Sequence, residues 1–457
     1  MNTPAPTRSE PLAVSPRDAT CDSSCDGNCE AAAPPLLGPS GRSQAQILEA
    51  GPGQRAVWPV DTSRVQLNHG SYGVTPEYVR ARQSELRDRI DRDPPRFFVV
   101  DLERLADRAR EALAAFVGCP ARDLTFVTNG TFAVAAAVRS YEDELEPGDE
   151  IVVTDHEYNA TFNELRRLCA RTGAVLRVAR VPLPLSGPDE VVEAVSAALS
   201  DRTRFALVSH IASASSLIMP AERIVGACRE RGIDVILDGA HTPGQIPLDI
   251  GALSPTFYVG SCHKWLCTPK GSGFVYCAPE RQAKVRPAAE SCRVHNDRPD
   301  RAHFLADFDY VGTGDYTANL VIPDAIEHLG AQLPGGWDEL YRRNHGLAIA
   351  GARVIRERCG LAETAPESMF GSMVSLVLPE DPAPGRACVH DHALWDAISD
   401  RHGIQVPVWP FSPVAERVMR VSAHLHNELG QYELLAGALA EELGAEGDTG
   451  GTPGDTR

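Results

Sequence analysis

Between residues 95 and 325, short β-branched and aromatic runs alternate with stretches of helical period, and this alternation restricts the possible folds more than any other feature. The stretch PAERIVGACRERG has Pro220 suited to a first helical turn and Gly232 suited to ending a helix. Such alternation predicts an α/β fold with a mostly parallel sheet covered by helices on both faces. Five runs are strand candidates: DLTFVT, DEIVVTD, TRFALVSH, IDVILDG and TFYVGS.

After about residue 330 the pattern changes to a long helical stretch, DELYRRNHGLAIAGARVIRERCG, then strand-like SMVSLVLP and RVMRVSAH, then a last helix. This order predicts a smaller α+β domain at 326–445, behind a large domain at 96–325. We expect residues 56–95 to pack on both domains. Residues 1–55 and 446–457 are rich in small residues and proline without a sustained period, so we expect two disordered tails.

Charge and hydropathy exclude several classes of function. A formal net charge of −18, with no basic stripe to offset it, would repel phosphate backbones, so we expect no nucleic-acid partner. No apolar run approaches the ~20 residues that span a bilayer, and the first 20 residues lack the apolar centre of a secretory signal. We therefore expect a cytoplasmic protein, away from membranes, that acts on small molecules.

The twelve cysteines are mostly scattered through apparent core segments, which suits reduced, buried thiols better than a disulfide framework. One cluster near the N-terminus is formed by Cys21, Cys25 and Cys29. It lacks the second CxxC pair expected of a zinc site. We expect no metal.

Polar and titratable side chains follow four of the strand candidates. In open α/β sheets, ligands bind beyond the carboxyl ends of the strands. A single Asp or His there is usually a loop residue or a helix cap, but four strands deliver such groups to one edge. They are Asp155, His156, Glu157, Tyr158 and Asn159 after the first, Ser209, His210 and Ser213 after the second, Asp238 and His241 after the third, and Ser261, His263 and Lys264 after the fourth.

A further strand candidate, DLTFVT, runs into Asn129, Gly130 and Thr131 and then into a helical pattern. Free amides at a helix start, with a hydroxyl and a permissive glycine, can bind a phosphate dianion. A plain helix cap explains the same residues equally well, because no GxGxxG or GxxxxGK[ST] pattern accompanies them.

Lysine is rare in this chain. It occurs only at Lys264, Lys270 and Lys284, so arginine supplies the other 41 of the 44 Lys and Arg residues. Arginine cannot replace lysine where a neutral amine must attack a carbonyl, because guanidinium stays protonated. Lys264 lies among the polar groups at the strand ends and is our candidate for a Schiff-base lysine, whereas the other two suit ordinary surface positions.

These motifs resemble those of fold-type I pyridoxal phosphate (PLP) enzymes, in the aminotransferase class V family and its isopenicillin N epimerase-like branch. The resemblance covers most of residues 65–440, and DGAH followed by HKW is a specific match. It implies a large domain with a mostly parallel, seven-stranded type of sheet, a smaller α+β domain, and a homodimer with shared active sites. The other matching stretches are LNHGSYGVTP, DPPRFFV, TNGT, DHEYNA, SHIASASSLIMP, HKWLCTPKGSGFVY, GTGDYTANL and RVSAHLHNE.

The resemblance also implies cofactor roles. Lys264 would form the Schiff base with PLP, and Asp238 would pair with the pyridine nitrogen so that the ring can accept electrons. Either His156, which completes the implied catalytic set, or Tyr158 would stack on the ring. The remaining contacts would be Gly130, Thr131, Ser261 and His263 at the phosphate, His241 or Ser213 at the ring hydroxyl, and Thr313 of the partner subunit at the phosphate.

For the substrate, an amino acid, the resemblance implies that Arg420 binds the α-carboxylate, for which a planar fork is suited. An exposed strand arginine is the alternative. Asn68 and His69 would approach the substrate. The usual Gly-Thr-Arg-Asp of the branch appears here as Gly-Thr-Gly-Asp at 312–315, so a cationic side chain is missing, and the loop VPVWPFSPVAER lacks the mobile cysteine of a desulfurase.

Arg420 and Lys264 together predict that the Cα proton of the substrate is removed first. Loss of a β-substituent would then make the enzyme a C–S lyase, and reprotonation from the other face an epimerase. We rank β-elimination slightly ahead of epimerisation, in specialised metabolism, with decarboxylation or transamination behind. A PLP-fold scaffold without catalysis is the last alternative.

Overall fold

The computed structural model describes residues 58–294, 298–380, 392–411 and 414–449. The expected tail at 1–55 and the N-terminal cysteine cluster lie outside the described residues. The strands are β1 (Val65–Gln66), β2 (Leu124–Val127), β3 (Glu150–Thr154), β4 (Val175–Ala179), β5 (Thr203–Ser209), β6 (Asp234–Gly239), β7 (Phe257–Ser261), β8 (Gly273–Cys277), β9 (Met373–Val377), β10 (Ile404–Gln405), β11 (Val408–Phe411) and β12 (Ala415–Ser422).

Fifteen α-helical segments lie in the described residues, and none of them is long and apolar enough to cross a membrane. A π-helical turn, Phe97–Asp101, joins the third to the fourth. The helices are α1 (His69–Tyr72), α2 (Glu77–Arg92), α3 (Pro94–Arg96), α4 (Leu102–Val117), α5 (Gly130–Arg139), α6 (Asn159–Thr172), α7 (Pro188–Ala198), α8 (Ala221–Arg229), α9 (Ile250–Leu253), α10 (His303–Asp309), α11 (Thr317–Leu320), α12 (Ile322–Gly330), α13 (Gly336–Cys359), α14 (Ala393–His402) and α15 (Leu429–Thr449).

Seven strands form the central sheet, in the order β2-β8-β7-β6-β5-β3-β4. Only β8 runs antiparallel to its neighbours; the other adjacent pairs are parallel. The predicted α/β class with a mostly parallel, seven-stranded sheet is confirmed. All five strand candidates are strands, whereas β4 and β8 were not predicted from the residues.

Both faces of this sheet are covered, which explains the apolar runs of its inner strands. Every residue of β3 and β7 is buried, as parallel strands between two helical layers require. Ala133 and Leu165, from α5 and α6, pack in the cluster on one face. Ile224 of α8 belongs to the cluster on the other. The carboxyl ends of the strands therefore meet at one edge, next to the start of α5.

A second, antiparallel sheet follows, with the order β11-β12-β9, and the long helices α13 and α15 pack together beside it. This agrees with the α+β pattern predicted for the C-terminal part. The N-terminal segment joins this part through β1, which pairs in parallel with β10. Helix α15 runs to Thr449, so the boundary that we set before residue 446 lies inside a helix. The other domain boundaries stay predictions.

Candidate active site

A cavity of about 290 Å³ lies at the edge where the central strands end. Segments far apart in the sequence meet there because parallel strands deliver their carboxyl ends to the same side. Nine of the site residues predicted from the sequence line it: Gly130, Thr131, Tyr158, Ser213, Asp238, His241, Ser261, His263 and Lys264. The cavity also includes Ser71, Tyr72, Thr161 and Ser209, to which we had assigned no role.

The amine of Lys264 lies 3.1 Å from His241 Nε2. Trp265 Nε1, which can only donate, points at His241 Nδ1 from 3.4 Å. The neutral imidazole therefore carries its proton on Nε2 and donates it to the amine, which accepts only when it is neutral. Burial and the nearby charge of Arg420 lower the pKa of Lys264 from 10.5 to about 8. With a pKa of about 8, the neutral, nucleophilic fraction of this amine near pH 7 is much larger than that of an ordinary lysine.

Asp238 ends β6 with its side chain in the cavity and is only 6% exposed. Burial raises the pKa of its carboxyl, while the Ala240 amide, the positive charge of Lys264 and the hydroxyl of Thr161 act in the opposite direction. The Ala240 amide donates to Oδ1 at 3.0 Å. A buried carboxylate with few donors can accept a further proton-bearing group from a ligand.

The N-terminus of α5 faces the same cavity. Asn129 caps this ten-residue helix, its Oδ1 accepting from the amide of Phe132 at 3.1 Å. The Gly130 amide donates to Ser261 Oγ at 3.2 Å, and a Cβ at Gly130 would lie only 3.0 Å from that oxygen. The amide of Thr131 has no intrahelical acceptor because it lies in the first turn. These donors and the helix dipole suit an anion such as a phosphate.

Arg420 on β12 is 2% exposed and reaches the cavity wall from the second sheet. It donates to Ser213 O at 2.7 Å and to Ser71 Oγ at 2.8 Å. Burial lowers the pKa of its guanidinium to about 10. Its Nε has no partner, and within the described part of the chain no carboxylate is paired with it. A buried, unpaired guanidinium of this kind suits a carboxylate ligand, and the alternative of an exposed strand arginine is wrong.

The structure corrects the assignment of His156. Its ring is fully buried outside the cavity, with Nδ1 2.8 Å from Ser215 Oγ and Nε2 3.0 Å from Val181 O. Both nitrogens are therefore engaged in the fold. Of the two candidates for the ring face, only Tyr158 lines the cavity, with 53% of its surface exposed.

Neither Asn68 nor His69 lines the cavity, so their predicted contact with the substrate is also corrected. His69 is buried behind the lysine, with Nε2 3.0 Å from the carbonyl oxygen of Lys264. The single turn of α1 carries Ser71 and Tyr72 to the opposite side, where both line the cavity. The spacing in LNHGSYG separates Ser71 from His69, because residues two positions apart on a helical turn face different directions, but it does not separate Tyr72 from His69.

Thr313 lies in a neighbouring cavity of about 290 Å³, on an exposed loop, with its hydroxyl 2.8 Å from Tyr310 Oη. The two cavities share Gly271. Thr313 is not among the residues that line the first cavity of its own chain.

A buried cluster of His69, Cys267 and His424 places three potential metal-ligand atoms within 4.8 Å of one another. The rings of the two histidines are stacked, however, with centroids 4.1 Å apart and planes inclined by 13°. Two stacked rings cannot both direct an in-plane lone pair at one ion. We therefore assign no metal to this cluster, and the absence of a metal stays a prediction.

The cavity matches three parts of PLP: an amine of lowered pKa for the aldehyde, a buried carboxylate for the ring nitrogen, and a capped helix start for the phosphate. Fold and site together define a fold-type I PLP enzyme.

Comparison with known proteins supports this class. The model of the aminotransferase class-V family matches residues 98–304. The chain is 35% identical to an isopenicillin N epimerase of Amycolatopsis lactamdurans, over 84% of this chain and 96% of that protein. It is 28% identical to a putative L-cysteine desulfhydrase 2 of Oryza sativa subsp. japonica, over 85% and 86%. The chain therefore belongs to the aminotransferase class V family, in its isopenicillin N epimerase-like branch, and PLP is the cofactor of this family.

Among solved structures, the cystine C-S lyase C-DES in complex with its product cysteine persulfide is similar, with a TM-score of 0.71. That likeness covers 83% of this chain and 98% of the other, at 19% sequence identity. At this identity it confirms the fold.

Proposed function

We propose that this protein is a C–S lyase, which removes a β-thiol substituent from cysteine or a cysteine-derived conjugate. The observation that carries the proposal is the amine of Lys264, with its lowered pKa, in a cavity whose wall residues Ser71 and Ser213 hold the guanidinium of Arg420, which has no carboxylate partner among the described residues. Elimination needs a base beside Cα and a cationic group that binds the α-carboxylate. Lys264 would be the base, and Arg420 would bind the carboxylate.

In this proposal each residue has a defined task. Arg420 binds the α-carboxylate and orients the Cα–H bond toward Lys264. Lys264 takes the Cα proton and then gives it to the leaving sulfur. PLP, when bound, supplies an electron sink that stabilises negative charge at Cα. Elimination breaks the Cβ–S bond and releases the thiol and an enamine. The enamine tautomerises to an imine, which water hydrolyses to ammonia and a 2-keto acid.

The remaining cavity residues would hold the cofactor. Asp238 would keep a proton on the ring nitrogen, and Tyr158 would cover one ring face. The amides of Gly130 and Thr131, with Ser261 and His263, would bind the phosphate, and His241 or Ser213 would contact the ring hydroxyl.

Epimerisation is the second candidate, because the epimerase of A. lactamdurans is a relative at 35% identity. It requires a proton donor on the face opposite Lys264. Tyr72 lines the cavity with 61% of its surface exposed and is the residue that we would assign to this task. Decarboxylation and transamination rank behind both.

The test is incubation of the holoenzyme in deuterated water with cysteine, cystine and cysteine conjugates, and with amino acids without a β-leaving group. We expect sulfide from cysteine, a persulfide from cystine and a free thiol from the conjugates, each with ammonia and keto acid, and none of these products from the second group. Lys264→Ala should abolish these products together with the absorbance band that borohydride bleaches. Deuterium at an inverted Cα without thiol release would contradict the lyase proposal and support the epimerase. A wild-type protein without the cofactor absorbance band would exclude both functions.

We further propose that the enzyme is a homodimer in which Thr313 of the partner subunit reaches the phosphate site. The shared wall at Gly271 supports this arrangement, since the loop of Thr313 lies beside the cavity rather than in it. A cytoplasmic location fits the eight free thiols of the described residues. The epimerase relatives support a place in specialised metabolism such as antibiotic biosynthesis.

A further inference from the structure

A second carboxylate lies buried beside the site, and the functions assigned above do not use it. Glu157 is 6% exposed. Its Oε1 accepts from the Thr154 hydroxyl at 2.7 Å and from the Ser209 amide at 3.1 Å, and its Oε2 accepts from the Ser209 hydroxyl at 2.6 Å. Three donors directed at one carboxylate are the environment of a charged group.

The position of Glu157 relates it to Asp238. Ser209, which holds both of its oxygens, ends β5 and pairs in register with Asp238 at the end of β6. Residues paired in this way project to the same face of the sheet, and both line the cavity. Glu157 therefore contacts the sheet neighbour of Asp238, the residue whose carboxylate we assign to the ring nitrogen.

No cation compensates Glu157 within the described part of the chain, where its hydrogen-bond partners are Thr154 and Ser209. Asp238 is the charged group whose field reaches it, and Lys264 in turn faces Asp238. Burial, with Asp238 nearby, raises the pKa of Glu157 to about 7. A negative charge on Glu157 beside the negative charge of Asp238 costs free energy, unless a positive group comes to lie against Asp238.

We propose that Glu157 is a positioning residue of the cofactor site: held by Ser209, the neighbour of Asp238 in the sheet, it adds negative charge behind Asp238, so that the ring nitrogen of bound PLP keeps its proton. The inference rests on the cofactor role proposed for Asp238. Glu157 itself touches neither cofactor nor substrate.

The test compares the affinity of the apoprotein for PLP with that for the carbocyclic analogue, in which a C–H group replaces the ring nitrogen. The C–H group of the carbocyclic ring does not titrate and carries no positive charge, so the charge of Glu157 cannot favour it. We expect Glu157→Gln, which keeps the side chain's length and an acceptor oxygen, to weaken PLP binding about tenfold, which corresponds to a shift of about one unit in the pKa of the ring nitrogen. It should leave analogue binding unchanged.

Glu150→Gln is the matched control, because Glu150 is a buried carboxylate at the other end of β3, held by Ser200 and two arginines. It should not change the ratio of the two affinities. Thr154→Val removes one donor from Glu157 and should change the ratio in the same direction as Glu157→Gln, by less; it serves if the first variant does not fold. Equal losses for both cofactors, or no loss for either, would overturn the inference. If the wild type captures neither, the proposed function fails as well.

Discussion

At the scale of the residue, the chemistry of this protein depends on how one amine is kept reactive. Lys264 is surrounded by buried groups, and none of its contacts is an ion pair within the described residues. The imidazole of His241 donates an N–H hydrogen bond to the amine, and the guanidinium of Arg420 places a second positive charge near it. Both effects act against protonation of the amine. The same guanidinium that we assign to the substrate therefore also prepares the nucleophile.

This gives a prediction for the apoprotein. Only the neutral amine attacks the aldehyde of PLP, so a pKa of about 8 at Lys264 should make the rate of PLP capture rise about tenfold from pH 7 to pH 9 and then level off. Stopped-flow absorbance measures this rate. With N-acetyl-lysine methylamide, whose amine titrates in the ordinary range, the rate should still be rising at pH 9.

Arg420→Gln is the informative variant for this profile. Removing the like charge raises the pKa of Lys264, so the profile should move to higher pH. A profile that is flat between pH 7 and 9, or one that stays in place in Arg420→Gln, would contradict this account of the amine.

At the scale of the element, the loop after β7 that carries Lys264 is held by the backbone of the N-terminal segment. Gly73 follows α1 with φ 68° and lies against this loop. A Cβ at that position would come within 2.0 Å of His263 O and 2.5 Å of Lys264 O. Both the left-handed conformation and the contact therefore require glycine.

Gly73→Ala should lower the apparent melting temperature and the PLP content together, because the loop of Lys264 must move to admit the methyl group. Gly232→Ala is the control: Gly232 has φ 67° and open space around its Cβ position. It should cost only the ~1–2 kcal/mol of left-handed backbone strain and leave the PLP content unchanged. Differential scanning calorimetry and the cofactor absorbance measure the two effects. Similar PLP contents in the two variants would contradict the assigned contact.

At the scale of the whole molecule, the second cavity and the apolar side chains near it point to association of two copies. Val99 is 78% exposed, Val100 57%, Phe132 48% and Val311 38%. Phe132 and Val311 line the cavity that contains Thr313. Leu102, which directly follows the π-helical turn that carries Val99 and Val100, lines the same cavity. Exposed apolar groups around one cavity suit an interaction surface, and in the dimer that we propose this surface would bring Thr313 toward the phosphate site of the partner.

Val99→Glu should therefore shift the protein to a monomer and weaken PLP binding, whereas Thr313→Ala should keep the dimer and weaken PLP binding alone. Leu434→Glu is the control, since Leu434 is also an exposed apolar residue, at 61%, but lies on α15. Sedimentation velocity and PLP titration measure both properties. A monomer with undiminished PLP affinity would exclude the shared site.

Local patterns in the sequence determined much of this protein. Five central strands, the long helix α13, the rarity of lysine and the order of the motifs were readable because each depends on residues that are close in the chain. β4 was missed because it is an edge strand with a charged residue, Arg177, in its short run VLRVA, and β8 because its short run GFVYC begins with glycine. Tyr158 rather than His156, and Tyr72 rather than His69, became distinguishable only in the tertiary structure. Which of two nearby side chains faces a cavity depends on how a strand end or a helical turn packs against distant segments, and no local pattern carries that information.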